Sequence, residues 1–229
     1  MKTIGIMGGM GPMATVDLMR KIILGTPAAT DQEHIPMLVD NNTQVPDRTR
    51  AIQGKGESPV PELQKSAKRL EALGADFIIV ACNTAHYFLP EVEPVIGIPV
   101  LSIIEVTAEA AAARGCRTVG LLATSGTVGT GLYQKKLVEK RIKCIIPQGE
   151  KQQLIDELIY AGVKANNFGY DTAPVQALLQ EMEQEGAEAF ILGCTETPLA
   201  VEMYHLQGQF IDSTGELAKA AIRKAKTEG

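Results

Sequence analysis

The sequence predicts an α/β protein built from two similar doubly wound domains, each around a parallel sheet, related by pseudo-twofold symmetry. Two observations carry this. Short apolar runs alternate with longer amphipathic stretches, the βα alternation that gives a mostly parallel sheet covered by helices on both faces. The pattern then restarts: TVGLLAT near residue 120 matches TIGIMGG near residue 5, and AFILGC matches FIIVAC. The intervals agree, 115 residues between Ile4 and Val119 and 112 between Cys82 and Cys194, which points to an internal duplication.

The elements follow in order. TIGIM is a strand leading to a helix from about Met13; PMLVD is a second strand, with a helix from about Pro61; FIIVA is a third, with a short helix after it; PVLSI is a fourth, followed by the Ala-rich helix around Val106 to Arg114. In the second half, KCIIP takes the place of the second strand. The last segment, QFIDSTGELAKAAIRKAK, supplies a further strand and helix and is expected to cross back and complete the first half. The chain thus divides into a first domain of 1–102 plus 209–229 and a second of 103–208.

The totals fit this plan. A chain of 229 residues accommodates one large domain or two of about 100 residues, and 45% hydrophobic with 21% charged residues is an ordinary globular composition. A balance of 22 basic against 27 acidic residues, with no Lys/Arg cluster, argues against nucleic acid or an anionic membrane as partner and leaves a small molecule. Glycines interrupt MKTIGIMGGMG before any signal-like apolar region develops, and no long apolar span appears elsewhere. The expectation is a soluble, cytoplasmic protein. Cys82, Cys116, Cys144 and Cys194 are spread without a C-x-x-C pair, which argues for reduced thiols rather than a zinc site or disulfides. His34, His86 and His205 have no metal-ligand spacing and are read as structural, with His86 of interest for its nearness to Cys82.

Ligands of open parallel sheets bind beyond the carboxyl ends of the strands, where Cys82 and Cys194 both fall. If the halves face one another, the two thiols meet across a shared cleft. Free backbone N–H groups at a strand-to-helix junction favour negative charge, so a thiol there can have its pKa lowered. The same N–H groups, with Asn83, Thr84 and Thr195, could hold a carboxylate. A thiolate on one face of a carbon and a thiol on the other would remove one proton and deliver another, inverting a stereocentre with no cofactor. The bland reading of a single cysteine is a small buried hydrophobe, and Cys116 and Cys144 are left in that class. The repeated context of strand, cysteine, polar residue and threonine separates Cys82 and Cys194 from them.

Other signals cluster at strand ends. GIMGGMGPMAT places Gly9, Gly11 and Ala14 in the spacing G-x-G-x-x-A, a dinucleotide fingerprint that is weak alone. Pro12 removes a donor and Asp40 lies too far on for the ribose acid, so a tight substrate loop carrying Met10 is preferred, with a simple packing turn as the plain alternative. NNTQVPDRTRAI offers Asp47, Arg48 and Arg50, of which an arginine fork suits a second carboxylate. ATSGTVGTG supplies the hydroxyls of Thr124, Ser125 and Thr127, whose plain role is N-capping. Lys164, after a probable helix end, would ordinarily face solvent.

ACNTAH, GCTE, GGMGPMAT, NNTQVPDRT and LLATSGT, in that set and over essentially the whole chain, resemble the aspartate/glutamate racemase superfamily. The resemblance implies two α/β domains, a homodimer, and racemisation of an acidic amino acid, aspartate in particular, without pyridoxal phosphate, metal or nucleotide. It makes Cys82 and Cys194 the catalytic bases, Cys194 acting on the L-isomer's proton and Cys82 on the D-isomer's. It assigns Asn83, Thr84, Thr127 and Thr195 to the α-carboxylate and amino group, with Thr124 nearby, and Arg48 and Lys164 to the side-chain carboxylate. Asp47 and Glu196 would assist the thiols. Glutamate racemases resemble GCTH at the second site where this chain has GCTE, which favours aspartate. The alternatives are a glutamate or broad-specificity racemase of the same superfamily and, more remotely, an NAD-dependent oxidoreductase or a non-catalytic ligand-binding protein.

Overall fold

The computed structural model describes residues 1–227, which divide into two compact units, Met1–Ile103 with the segment from Thr214, and Ile104–Ser213. The first unit holds β1 (Ile4–Gly8), β2 (Met37–Asn41), β3 (Phe77–Val80) and β4 (Val100–Leu101), all parallel, in the order β2-β1-β3-β4. The second holds β5 (Thr118–Leu122), β6 (Lys143–Ile145), β7 (Ala189–Leu192) and β8 (Phe210–Asp212), also parallel, in the order β6-β5-β7-β8. The two sheets therefore repeat one topology. Their central strands are unbroken apolar runs, IGIMG in β1, FIIV in β3 and AFIL in β7, and every residue of each is buried, as strands covered on both faces require.

Gly5 and Gly120 stand at equivalent points of β1 and β5 and explain how closely the sheets are covered. A Cβ on Gly5 would lie 3.0 Å from Ala75 Cβ and 3.3 Å from Leu70 Cβ; one on Gly120 would lie 2.5 Å from the Phe190 ring. The first unit's core gathers Met7, Met10, Leu63, Leu70, Ile78, Val80 and Cys82; the second gathers Leu122, Ile155, Leu179, Phe190, Leu192 and Cys194. Each thiol sits at the end of its unit's core.

The terminal segment divides, contrary to the expectation that all of 209–229 completes the first half. Phe210, Ile211 and Asp212 continue the ladder of β7 in the second sheet, and Ser213 donates to Leu192 O at 2.6 Å. The helix Ser213–Lys226 belongs, from Thr214 on, to the first unit, where Leu217, Ala218, Ala221, Ile222 and Ala225 are buried at helical spacing and Ala225 O accepts from Lys2 N at 2.9 Å. An apolar strand extends whichever ladder it adjoins, whereas the helix is placed by its apolar stripe. The same division occurs midway: β4 pairs in the first sheet, while the helix Ile103–Ala113 belongs from Ile104 to the second unit. The short helix expected after β3 is broken into the one-turn pieces Thr84–Phe88, Leu89–Val92 and Glu93–Val95, since Pro90 and Pro94 remove the donors that would continue it. Among the described residues no helix is long and apolar enough to cross a membrane.

Candidate active site

In the first unit Ala81 N–H donates to Met7 O at 2.9 Å, the last rung of the ladder, and the chain then turns at Cys82. Cys82, Asn83 and Thr84 are all buried, at 5%, 1% and 6% exposure. His86 fastens this turn. Its Nδ1 lies 2.9 Å from Cys82 O and its Nε2 accepts from Ile103 N–H at 3.2 Å, which assigns the proton to Nδ1. Burial lowers its pKa to about 4, so the ring is neutral and serves as a strut between the turn after β3 and Ile103, two residues past β4.

The glycine loop faces the segment after β2. Gly9 has φ +89°, and a Cβ there would fall 2.2 Å from Asn42 O, so only glycine fits. Gly9 N–H is taken by Thr15 Oγ1 at 2.9 Å, and the Thr15 hydroxyl donates to Gly11 O at 3.2 Å. A phosphate would need that N–H, which agrees with reading the loop as other than a dinucleotide cradle. Met10 is 2% exposed, within the same core cluster as Cys82, and its carbonyl accepts from Arg48 Nη2 at 3.4 Å. Arg48 is itself buried, with Nη1 donating to Val45 O at 3.1 Å and Pro46 O at 3.0 Å. Carbonyls from two segments thereby aim its guanidinium. Asp47 caps the short helix Arg48–Ile52, accepting from Arg50 N at 2.8 Å, and Arg50 is exposed.

The second unit repeats the turn after β7. Gly193 keeps the packing close there: a Cβ would meet Leu121 Cδ1 at 2.7 Å, Ala123 Cβ at 3.1 Å and Tyr133 Cε2 at 3.3 Å. Cys194, Thr195 and Glu196 follow, all buried, and Cys194 O accepts from Thr197 N and Oγ1 at 3.0 and 2.7 Å. Glu196 is the hub. Its Oε2 accepts from Cys194 Sγ at 3.0 Å and from Thr195 Oγ1 at 3.3 Å, while Oε1 lies 3.3 Å from Lys164 Nζ. Lys164 reaches this place through a turn of π-helix, Leu158–Val163, with Lys164 N donating to Ile159 O at 3.0 Å, and its ammonium stands 5.3 Å from the Tyr160 ring. Thr124 caps the helix Ser125–Thr130: its Oγ1 accepts from Thr127 N at 3.2 Å and lies 3.2 Å from Thr127 Oγ1, both side chains buried. Ser125 N–H donates to Asp156 Oδ1 at 2.9 Å, which anchors this loop.

The electrostatics of Cys194 run against the lowered pKa that its position suggested. Burial raises its pKa well above the ordinary thiol value, the Glu196 charge raises it further, and Lys164 offsets only part of this. The helix-terminus effect is outweighed first by burial and then by the carboxylate in direct contact. Cys194 therefore rests as a thiol that donates to Glu196.

Within the first unit the structure brings together Met10, Arg48, Cys82, Asn83 and Thr84, and within the second Lys164, Cys194, Thr195 and Glu196, with Thr124 and Thr127 forming a pair of their own. Sequence reasoning missed Tyr133. It is fully buried, hydrogen-bonded to the side chains of Thr107 and Ser213, coupled in charge to Cys194, and held protonated because burial raises its phenol. Among the described residues no cluster of three or more His, Cys, Asp or Glu is arranged to hold a metal ion.

A family model described as Asp/Glu/Hydantoin racemase matches residues 7–221, a span that contains every candidate site residue. The chain belongs to the Asp/Glu/hydantoin racemase family. This racemase is similar to the solved structure of Picrophilus torridus aspartate racemase, with 34% identity and a TM-score of 0.88 over 100% of this chain and 96% of that one. It is similar also to an aspartate racemase homologue from Pyrococcus horikoshii OT3, with 28% identity and a TM-score of 0.78 over 99% of this chain and 100% of that one. The broad specificity amino-acid racemase RacX of Bacillus subtilis (strain 168) is 28% identical over 232 residues, 96% of each chain. The racemase is an enzyme of the isomerase class acting on a small-molecule amino acid.

Proposed function

We propose that the racemase interconverts L- and D-aspartate by a cofactor-independent two-base reaction in which Cys82 and Cys194 are the bases. The observation that carries this is the repetition: each thiol is buried at the carboxyl end of the third strand of its own sheet, followed by buried polar residues able to hold an amino acid. Cys194 takes the proton of the L-isomer and Cys82 that of the D-isomer. The reaction requires each sulfur to come to about 3 to 3.5 Å from the α-carbon, with fixed dipoles stabilising the carbanion that develops. Asn83, Thr84, Thr127 and Thr195, with Thr124 and Met10, bind the α-carboxylate and amino group. Arg48 and Lys164 take the side-chain carboxylate. Glu196, in contact with Cys194 Sγ, relays its proton, and Asp47 assists at the other thiol while capping the helix that begins with Arg48.

The likeness to aspartate racemase at 34% identity supports aspartate as substrate, and the likeness to RacX supports the second reading, a broader amino-acid range. A homodimer acting in the reducing cytoplasm, without nucleic acid or membrane as partner, completes the proposal. The deciding experiment is α-proton exchange in deuterium oxide with no added cofactor. Deuterium should enter aspartate at the α-carbon, and more slowly glutamate or alanine; comparable rates on all three would favour the broader range, and no exchange with any acidic amino acid would reject the racemisation of aspartate.

A further inference from the structure

We propose that Glu196 is an internal occupant of the Lys164 ammonium, a latch that the second carboxylate of a dicarboxylic substrate must displace in order to be bound. The inference rests on the reading of Lys164 as the acceptor of the substrate's side-chain carboxylate. Its basis is the division of labour within one carboxyl group: Oε1 faces Lys164 Nζ at 3.3 Å, while Oε2 accepts from Cys194 Sγ at 3.0 Å and from Thr195 Oγ1 at 3.3 Å. The Glu196 side chain is 5% exposed and that of Lys164 26%, so the lysine is the member an incoming anion can reach. The ring of Tyr160, 5.3 Å from Nζ, remains beside the ammonium as it shifts toward a new partner.

The chemistry follows from competition for one cation. While Lys164 pairs with Oε1, an external carboxylate must compete with an internal one for the same ammonium. A second carboxylate at Nζ draws the ammonium away from Oε1, while Oε2 keeps the hydrogen bonds it accepts from Cys194 Sγ and Thr195 Oγ1. An amino acid with one carboxylate leaves the latch closed, so selectivity for a dicarboxylate is expressed in binding.

Calorimetric binding of succinate and of butyrate, equal in carbon number and differing by one carboxylate, tests this in the full chain. Glu196→Gln removes the internal competitor without changing shape. It should tighten succinate several-fold more than butyrate while lowering kcat for aspartate, a split that a purely structural role would not produce. In a Lys164→Met background the same substitution should leave the succinate-to-butyrate ratio unchanged. A ratio unaltered by Glu196→Gln in the presence of Lys164, or altered equally in its absence, would overturn the latch. Deuterium exchange of aspartate by the unsubstituted protein, run alongside, keeps the two readings apart: exchange with an unaltered ratio removes the latch alone, and no exchange removes the proposed reaction.

Discussion

A sulfur that is to take a proton from carbon must first be an anion, and Cys194 starts far from that condition, held as a thiol by burial and by the Glu196 charge. In the ligand-free protein, alkylation of Cys194 by iodoacetamide, followed by peptide mass mapping, should therefore be slow near neutral pH and rise only in the alkaline range. The sign for each neighbour is fixed. Glu196→Gln removes a charge that disfavours thiolate and should move the profile to lower pH; Lys164→Met removes one that favours it and should move the profile higher. The proposed two-base reaction asks for both sulfurs, so Cys82→Ser and Cys194→Ser should each lower aspartate exchange by about 100-fold or more, the usual worth of a positioned acid or base, with unchanged thermal unfolding. Equal activity in either serine variant would leave a single-base reaction. The cysteines were legible because each ends an apolar run and is followed by polar residues, a pattern strands do not otherwise need. The ion pair of Glu196 with Lys164 was not legible, since it joins distant positions through a π-turn that no short-range pattern announces. Tyr133 was hidden for the same reason: in LYQKK it reads as one more apolar helix position.

Elements place these residues through a few fixed joints, and His86 is the joint whose chemistry can be titrated. Its folded pKa of about 4 lies below the ordinary 6.5, so the unfolded chain binds the proton more readily. The stability from the neutral, hydrogen-bonded ring is complete above about pH 6.5 and is lost as pH falls toward 4. Linkage puts the loss at about 2 kcal/mol between pH 7 and pH 5. Urea unfolding at the two pH values should show this loss in the unsubstituted protein and less of it in His86→Leu, whose midpoint is lower at pH 7. Identical pH dependence in both would mean that another group titrates. The glycine loop is a second joint. Gly9→Ala meets both a positive φ and the Asn42 carbonyl, and should lower the melting temperature by several degrees, the consequence of about 1 to 3 kcal/mol of backbone strain. Strands and principal helices were readable because each has an apolar period and a glycine or proline at its border. The fragmentation after β3 follows from Pro90 and Pro94, both visible in the sequence, yet the one-turn pieces lack a period of their own.

At the scale of the molecule, the duplication is expressed as an exchange. Each sheet is completed by a last strand whose following helix belongs to the other unit: the helix Ile103–Ala113 follows β4, and the helix Ser213–Lys226 follows β8. Alternation of strands and helices revealed the repeat but could not reveal this, because an apolar stripe states that a helix is buried and not against which sheet. The consequence is that the first unit lacks a covering helix until the end of the chain is made. Burial of Leu217 and Ile222 alone contributes about 3 to 6 kcal/mol, a large part of the roughly 5 to 15 kcal/mol that separates folded from unfolded domains. A chain ending at Ser213 retains all eight strands yet loses that helix. Amide hydrogen exchange of this truncated chain should show protection lost in β1, β2 and β3 and largely kept in β5, β6 and β7. Loss spread evenly over both sheets would mean that the units unfold as one cooperative body, and retention in both would mean that the terminal helix contributes little. With the first unit open, Cys82 would be exposed to alkylation at neutral pH while Cys194, part of its own unit's core cluster and held protonated beside Glu196, should react more slowly; the contrast between the two thiols in one sample reports which half has come apart.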